Sequence, residues 1–146
     1  MMPNDELWTV YANTVLRIGS QRQIRIDLRL PLSDETRRVL TALFPEKTFA
    51  IVTPFNPGGA RAPSWKNRWR YLRMRAGLAS RALHFTPADG ESLDGRHRER
   101  GFAIAVGRGD AATLARSYEQ LALYWFDGEA FWIDDVRTTG APRRLP

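Results

Sequence analysis

Residues 49–59 read Phe-Ala-Ile-Val-Thr-Pro-Phe-Asn-Pro-Gly-Gly, an apolar strand that breaks into a stiff polar turn. Pro54 and Pro57 restrict the backbone on either side of Asn56, while Gly58 and Gly59 let a ligand or another segment approach closely. A carboxamide held in this way presents an acceptor and two donor hydrogens in a set geometry, which suits the rim of a pocket. A second grouping is basic. No acid occurs between Gly58 and Ala88, whereas Arg61, Lys66, Arg68, Arg70, Arg73, Arg75 and Arg81 do. Such a run could follow a phosphate backbone. Asp89, Glu91, Asp94 and His97 are hard-cation donors close in sequence, but a loop of this composition is ordinarily solvated, so no metal site is expected. There is no Gly-x-Ser-x-Gly elbow, phosphate loop or Rossmann glycine set, and two histidines cannot build a His-rich metal cage. No cofactor is implied.

The elements that must position these residues come from one chain of 146 residues, long enough for a single well-packed domain. Its 43% hydrophobic content and five tryptophans argue against disorder. No cysteine is present, which excludes disulfides, thiolate catalysis and Cys-based zinc sites. Asp5 and Glu6 stand where a secretory leader needs a basic and then an apolar run, and no apolar stretch approaches bilayer length. A soluble cytoplasmic protein is the expectation. The formal charge of +6 favours anionic partners, and all but two of the 22 basic residues (Lys47 and Lys66) are Arg. A genome-wide preference for Arg explains that bias as well as phosphate binding does.

Residues 23–30 alternate Ile24, Ile26, Leu28 and Leu30 with Arg25, Asp27 and Arg29, the pattern of a half-buried strand. Ala12, Thr14, Leu16 and Ile18 alternate upstream, with Gly19-Ser20 as the turn of a hairpin. Ser33 is an N-cap for a helix reaching about Phe44, and 48–53 is a central strand. Ser64 is expected to cap a helix to about Gly77, followed by a strand over 81–86 and a polar loop over 86–98. Residues 101–106 form another central strand, and Asp110 caps a third helix with Leu114, Ala115, Tyr118 and Leu121 inward. Residues 123–126 and 130–133, joined by Asp127-Gly128, make a closing hairpin. The order is β-β-α-β-α-β-β-α-β-β. It predicts an α+β fold, a single-domain mixed and largely antiparallel sheet covered on one side by about three helices. The domain should span 7–136, with loosely ordered termini at 1–6 and 137–146.

On these residues the chain resembles a bacterial family of small proteins known as domain of unknown function 3293. The likeness covers most of 7–134. It rests on Tyr11 and Thr14, on Thr53-Pro54-Phe55-Asn56-Pro57 against a Thr-Ala-Trp-Asn-Pro pattern, and on Asn67, Glu99, Gln120 and Ala122. Pro54-Phe55 replaces Ala-Trp, His97 and Gly101 replace Trp and Ser, and Glu119 stands where Gly is common. The resemblance implies no activity, substrate or cofactor; it implies candidate positions.

Asn56, Asn67, Glu99 and Gln120 all fall at ends of expected elements, and with Tyr11 they are the candidate ligand-binding set. Three amides and a carboxylate suit a small polar ligand with several donors and acceptors, such as a nucleobase, sugar or amide. Partial burial would raise the pKa of Glu99 and make it the general acid or base of weak catalysis, with His97 two residues away to share the role. The same residues also have structural uses: Asn before Pro forms turns, Asn67 and Gln120 can satisfy helix ends, and Glu99 can pair with Arg98, Arg100 or Arg61. The alternative function is a nucleic-acid or acidic-protein binding module on the basic helix 64–77. There Trp65, Trp69, Leu72 and Ala76 share a narrow arc expected to face the core. Lys66, Arg70 and Arg73 would then hold phosphates, with Tyr71 on the outer face to stack a base.

Overall fold

The structure, a computed structural model, describes residues 4–146. Among these residues four α-helices and eight strands build one α+β domain. In chain order these are α1 (Asn4–Ala12), β1 (Thr14–Ile18), β2 (Ile24–Asp27), α2 (Asp34–Thr41), β3 (Phe49–Val52) and α3 (Ser64–Ser80). They are followed by β4 (Phe85–Ser92), β5 (Arg98–Ile104), α4 (Arg108–Ser117), β6 (Ala122–Phe126), β7 (Phe131–Asp135) and β8 (Arg143–Arg144). The strands form one sheet in the order β2-β1-β4-β5-β3-β6-β7-β8, and every ladder among the described residues is antiparallel.

The central strands read as unbroken apolar runs because both faces of the sheet are covered. Phe49 and Ile51 of β3 point to one core with Ala103, Tyr124 and Phe126, where α1 and α2 contribute Leu7 and Leu40. Ala50 and Val52 point the other way with Phe102, Ile104 and Leu123, against Tyr71, Met74 and Leu78 of α3 and Ala111, Leu114 and Ala115 of α4. Helices therefore cover both faces of the sheet, not the one face expected. The strands alternate their side chains between the two cores, as the period of two demands.

Several local expectations change with the tertiary structure. Strand β2 stops at Asp27, whose carboxylate accepts from the Arg29 backbone N–H at 3.0 Å and turns the chain. The polar stretch 86–98 is not a loop. Instead β4 and β5 pair from Phe85↔Ile104 to Glu91↔Arg98, with a tight turn at Asp94-Gly95 between them. Cross-strand ion pairs, Arg98 with Asp89 and Arg17 with Glu91, make polar side chains acceptable there. Helix α3 follows Pro63, so Ser64 is its first residue and no side chain caps it. Gly107 is the N-cap of α4, and Asp110 lies in its first turn.

The termini also differ from expectation. Residues 4–6 belong to α1, Arg143–Arg144 pair with β7, and Leu145 is buried; residues 1–3 lie outside the described residues. No helix among the described residues is long and apolar enough to cross a membrane.

Candidate functional site

The chain leaves β3 at Val52 and must turn over the end of β5. Thr53 makes the turn: its Oγ1 donates to the Arg100 carbonyl at 2.7 Å and accepts from the Phe55 N–H at 3.1 Å. The two strands come so close here that a Cβ on Gly101 would lie 2.5 Å from the Val52 carbonyl oxygen. Glycine at 101 is therefore required by space. Asn56 then adopts the left-handed conformation at φ 52°, which asparagine tolerates better than most residues.

Two backbone donors orient the asparagines. The Asn56 N–H donates to Asn67 Oδ1 at 2.9 Å, so Asn67 Nδ2 faces the Asn56 side chain and donates to its Oδ1 at 3.0 Å. The Ala62 N–H donates to that same Oδ1 at 2.9 Å. Asn56 Nδ2 is thereby left pointing at Glu99, and it donates to Oε1 at 2.9 Å. The direction of every amide follows from obligatory backbone donors.

Glu99 faces the α1 side of β5, since the register pairs it with Gly90 while Asp89 pairs with Arg100 on the opposite face. Its neighbours in sequence are spent elsewhere: Arg98 pairs with Asp89, and the Arg100 guanidinium lies 4.3 Å from the centre of the Tyr71 ring. Among the described residues no cation pairs with Glu99, and Oε2 accepts no hydrogen bond yet is not sealed off. Burial pushes the Glu99 carboxyl above the usual glutamate range, and the Asn56 hydrogen bond opposes part of that shift.

A cavity of about 490 Å³ opens beside this carboxylate. Tyr11, Asn56, Glu99 and Gln120 line it, with the exposed His97 at its edge. The remainder of the wall is largely apolar, including Val10 of α1, Leu16, Ile51, Leu121 and Tyr124. Tyr11 hangs from α1 and donates to the Ala122 carbonyl at 3.3 Å, while Tyr124 donates to the Tyr11 carbonyl at 2.7 Å. Burial, with the Glu99 charge adding to it, holds the Tyr11 hydroxyl well above the usual phenol range, so it stays protonated.

Gln120, in the connection between α4 and β6, braces the turn, donating from Nε2 to the carbonyls of Phe55 at 2.9 Å and Tyr118 at 3.2 Å. Asn67 does not touch the cavity. It is buried in α3 and acts by positioning Asn56.

The basic helix differs most from expectation. Arg70 turns inward, donating from Nε to the Pro54 carbonyl at 2.7 Å and from its terminal nitrogen to the Tyr118 carbonyl. It is a second brace on the turn that Gln120 holds, a role its place in a basic run concealed. Tyr71 is buried and stacked on Phe102, with ring centroids 4.6 Å apart, so it offers no face to a base. Trp65 and Trp69, expected in the core, are exposed, as is Leu72. Lys66 and Arg73 are exposed as expected.

The apolar wall supplied by α1 was also missed. Nine residues that include Thr9, Val10 and Tyr11 carry little helical periodicity, and the usable signal was the acidic first turn, Asp5 and Glu6.

The model of a protein family of unknown function, DUF3293, matches residues 52–123. Over that stretch the chain is similar to the family. The DUF3293 match begins at the last residue of β3 and ends inside β6, so it contains Asn56, Asn67, Glu99, Arg70 and Gln120 together. Tyr11 and the rest of α1 lie outside it. No curated protein and no solved structure matches the chain.

Proposed function

We propose that this chain binds a small molecule in the cavity under α1, with Glu99 Oε2 as the acceptor that directs it. One observation carries this reading: Glu99, a largely buried carboxylate with one oxygen held by Asn56 and no cation paired to it among the described residues, lines a cavity of about 490 Å³. A protein that needed Glu99 only as scaffold would gain by pairing it, because an unpaired buried charge is costly. The wall favours a ligand with an apolar body and a hydrogen-bond donor at one end, such as an amide, an amino-heterocycle or a protonated amine. A cavity-lining carboxyl whose pKa is raised by burial also suits general acid or base work, so weak proton-transfer catalysis at Glu99 is the catalytic form of the same proposal.

The test is a thermal-shift screen of small amides, amino-heterocycles and amines, followed by calorimetry on any hit. The expected result is a hit whose affinity falls about tenfold or more in Glu99→Gln and in Leu121→Trp, which fills the wall. Hits that bind both variants as tightly as the parent protein would sink the assignment.

A further inference from the structure

Helix α3 carries two apolar faces. Asn67, Tyr71, Met74 and Leu78 are buried against the sheet, and on the opposite side Trp65, Trp69 and Leu72 are 72%, 56% and 48% exposed. Exposing two indoles loses the gain that burial would bring, so an outward tryptophan pair asks for an occupant. At 100° per residue, Lys66 and Arg73 border this stripe on one edge and Arg68 and Arg75 border it on the other. All four are exposed, and no carboxylate among the described residues lies within ion-pair distance of them. The Arg73 guanidinium stands 5.4 Å from the centre of the Trp69 ring and steadies it. No acid occurs between Gly58 and Ala88, so the surroundings do not neutralise the patch.

We propose that this outer face of α3 binds single-stranded nucleic acid, with Trp65 and Trp69 each stacking a base while Lys66, Arg68, Arg73 and Arg75 hold the adjoining phosphates. Cations on both sides of a row of flat rings are complementary to a strand that exposes bases between phosphates. Indoles at i and i+4 sit about 6 Å apart along the axis, one turn of helix, which gives each base its own platform. The stripe is two turns long with Ala76 beyond it, a small area for anchoring in a lipid surface, where binding scales with the apolar area buried. The surface shares no residue with the cavity, and its occupant is independent of the small ligand proposed there. The expected readout differs from that of the basic helix as read from sequence, because Tyr71 and Arg70 take no part.

The experiment is a fluorescence-anisotropy titration of labelled oligothymidylate with the full chain at two salt concentrations. It is repeated with Trp65→Ala/Trp69→Ala and with Arg68→Gln/Arg73→Gln, each checked by thermal melting for an intact fold. Binding is expected to be micromolar or tighter, to weaken at least tenfold in the tryptophan variant, and to quench tryptophan emission. The slope of log affinity against log salt should become shallower by about 0.7 for each phosphate contact removed. Affinity unchanged by loss of both tryptophans would overturn the proposal, since charge alone would then explain the binding. So would an absence of oligonucleotide binding, whether the chain instead takes up phosphatidylserine vesicles, binds polyglutamate, or self-associates through the same stripe.

Discussion

Asn67 decides which way Asn56 points. Its Oδ1 accepts from the Asn56 backbone N–H at 2.9 Å, and its Nδ2 donates to the Asn56 side-chain oxygen at 3.0 Å. Through that pair a buried residue on α3 aims an amide hydrogen at Glu99 on the far side of the turn.

Removing Asn67 should therefore cost both stability and aim. Asn67→Ala leaves the Asn56 N–H without its acceptor, and we expect a loss of about 1–3 kcal/mol in urea unfolding. Asn67→Asp keeps that acceptor but sets a carboxylate oxygen against Asn56 Oδ1. It should retain more of the fold than Ala while losing any ligand found for the cavity. Equal stability of Asn67→Ala and the parent would show that the turn holds itself.

Glu99 should leave a mark on the pH dependence of stability. Burial raises its folded-state pKa above the ordinary glutamate value, so the folded protein holds the proton more tightly than the unfolded chain does. Its contribution is then fully present below the ordinary glutamate value and is lost as pH rises through the folded pKa. Glu99→Gln cannot ionise. The variant should melt higher than the parent near pH 7, and its advantage should shrink as pH falls toward 4. A Gln variant that melts lower across the whole range would mean that the ionised carboxylate is stabilising, and the cavity acceptor would need another explanation.

The facing of α3 is open to a direct comparison of two aromatic truncations. Tyr71 is stacked on Phe102 in the core, so Tyr71→Ala should cost about 3–5 kcal/mol. Trp69 lies on the surface, so Trp69→Ala should stay within about 0.5 kcal/mol of the parent. Reversed magnitudes in chemical unfolding would turn the helix over and return the tryptophans to the core.

Much of the site was legible in the sequence because its signals are local. The Pro-bracketed Asn56, the apolar run of β3, and the Asp127-Gly128 hairpin of β6 and β7 each owe their form to neighbouring residues. The DUF3293 resemblance pointed to Asn67, Glu99 and Gln120, and their spatial roles divide: two line the cavity, while Asn67 works from behind. Polar residues hid β4, since Asp, Gly and Glu are poor strand formers unless partners such as Arg98 and Arg17 stand across the ladder.

Helix α3 marks the limit of what the sequence by itself determined. Its periodicity announces a helix with two apolar arcs, Trp65-Trp69-Leu72 and Tyr71-Met74-Leu78. Hydrophobicity favours the tryptophans. The tertiary structure chose the other arc because Tyr71 fits flat on Phe102, and because Asn67 and Arg70 on the same side reach acceptors and donors in the turn after β3. The sum of those contacts depends on β3, β5 and α4 arriving from distant parts of the chain. Local sequence settles that α3 forms; which of its faces is buried depends on the shape and hydrogen-bonding needs of the surface it meets.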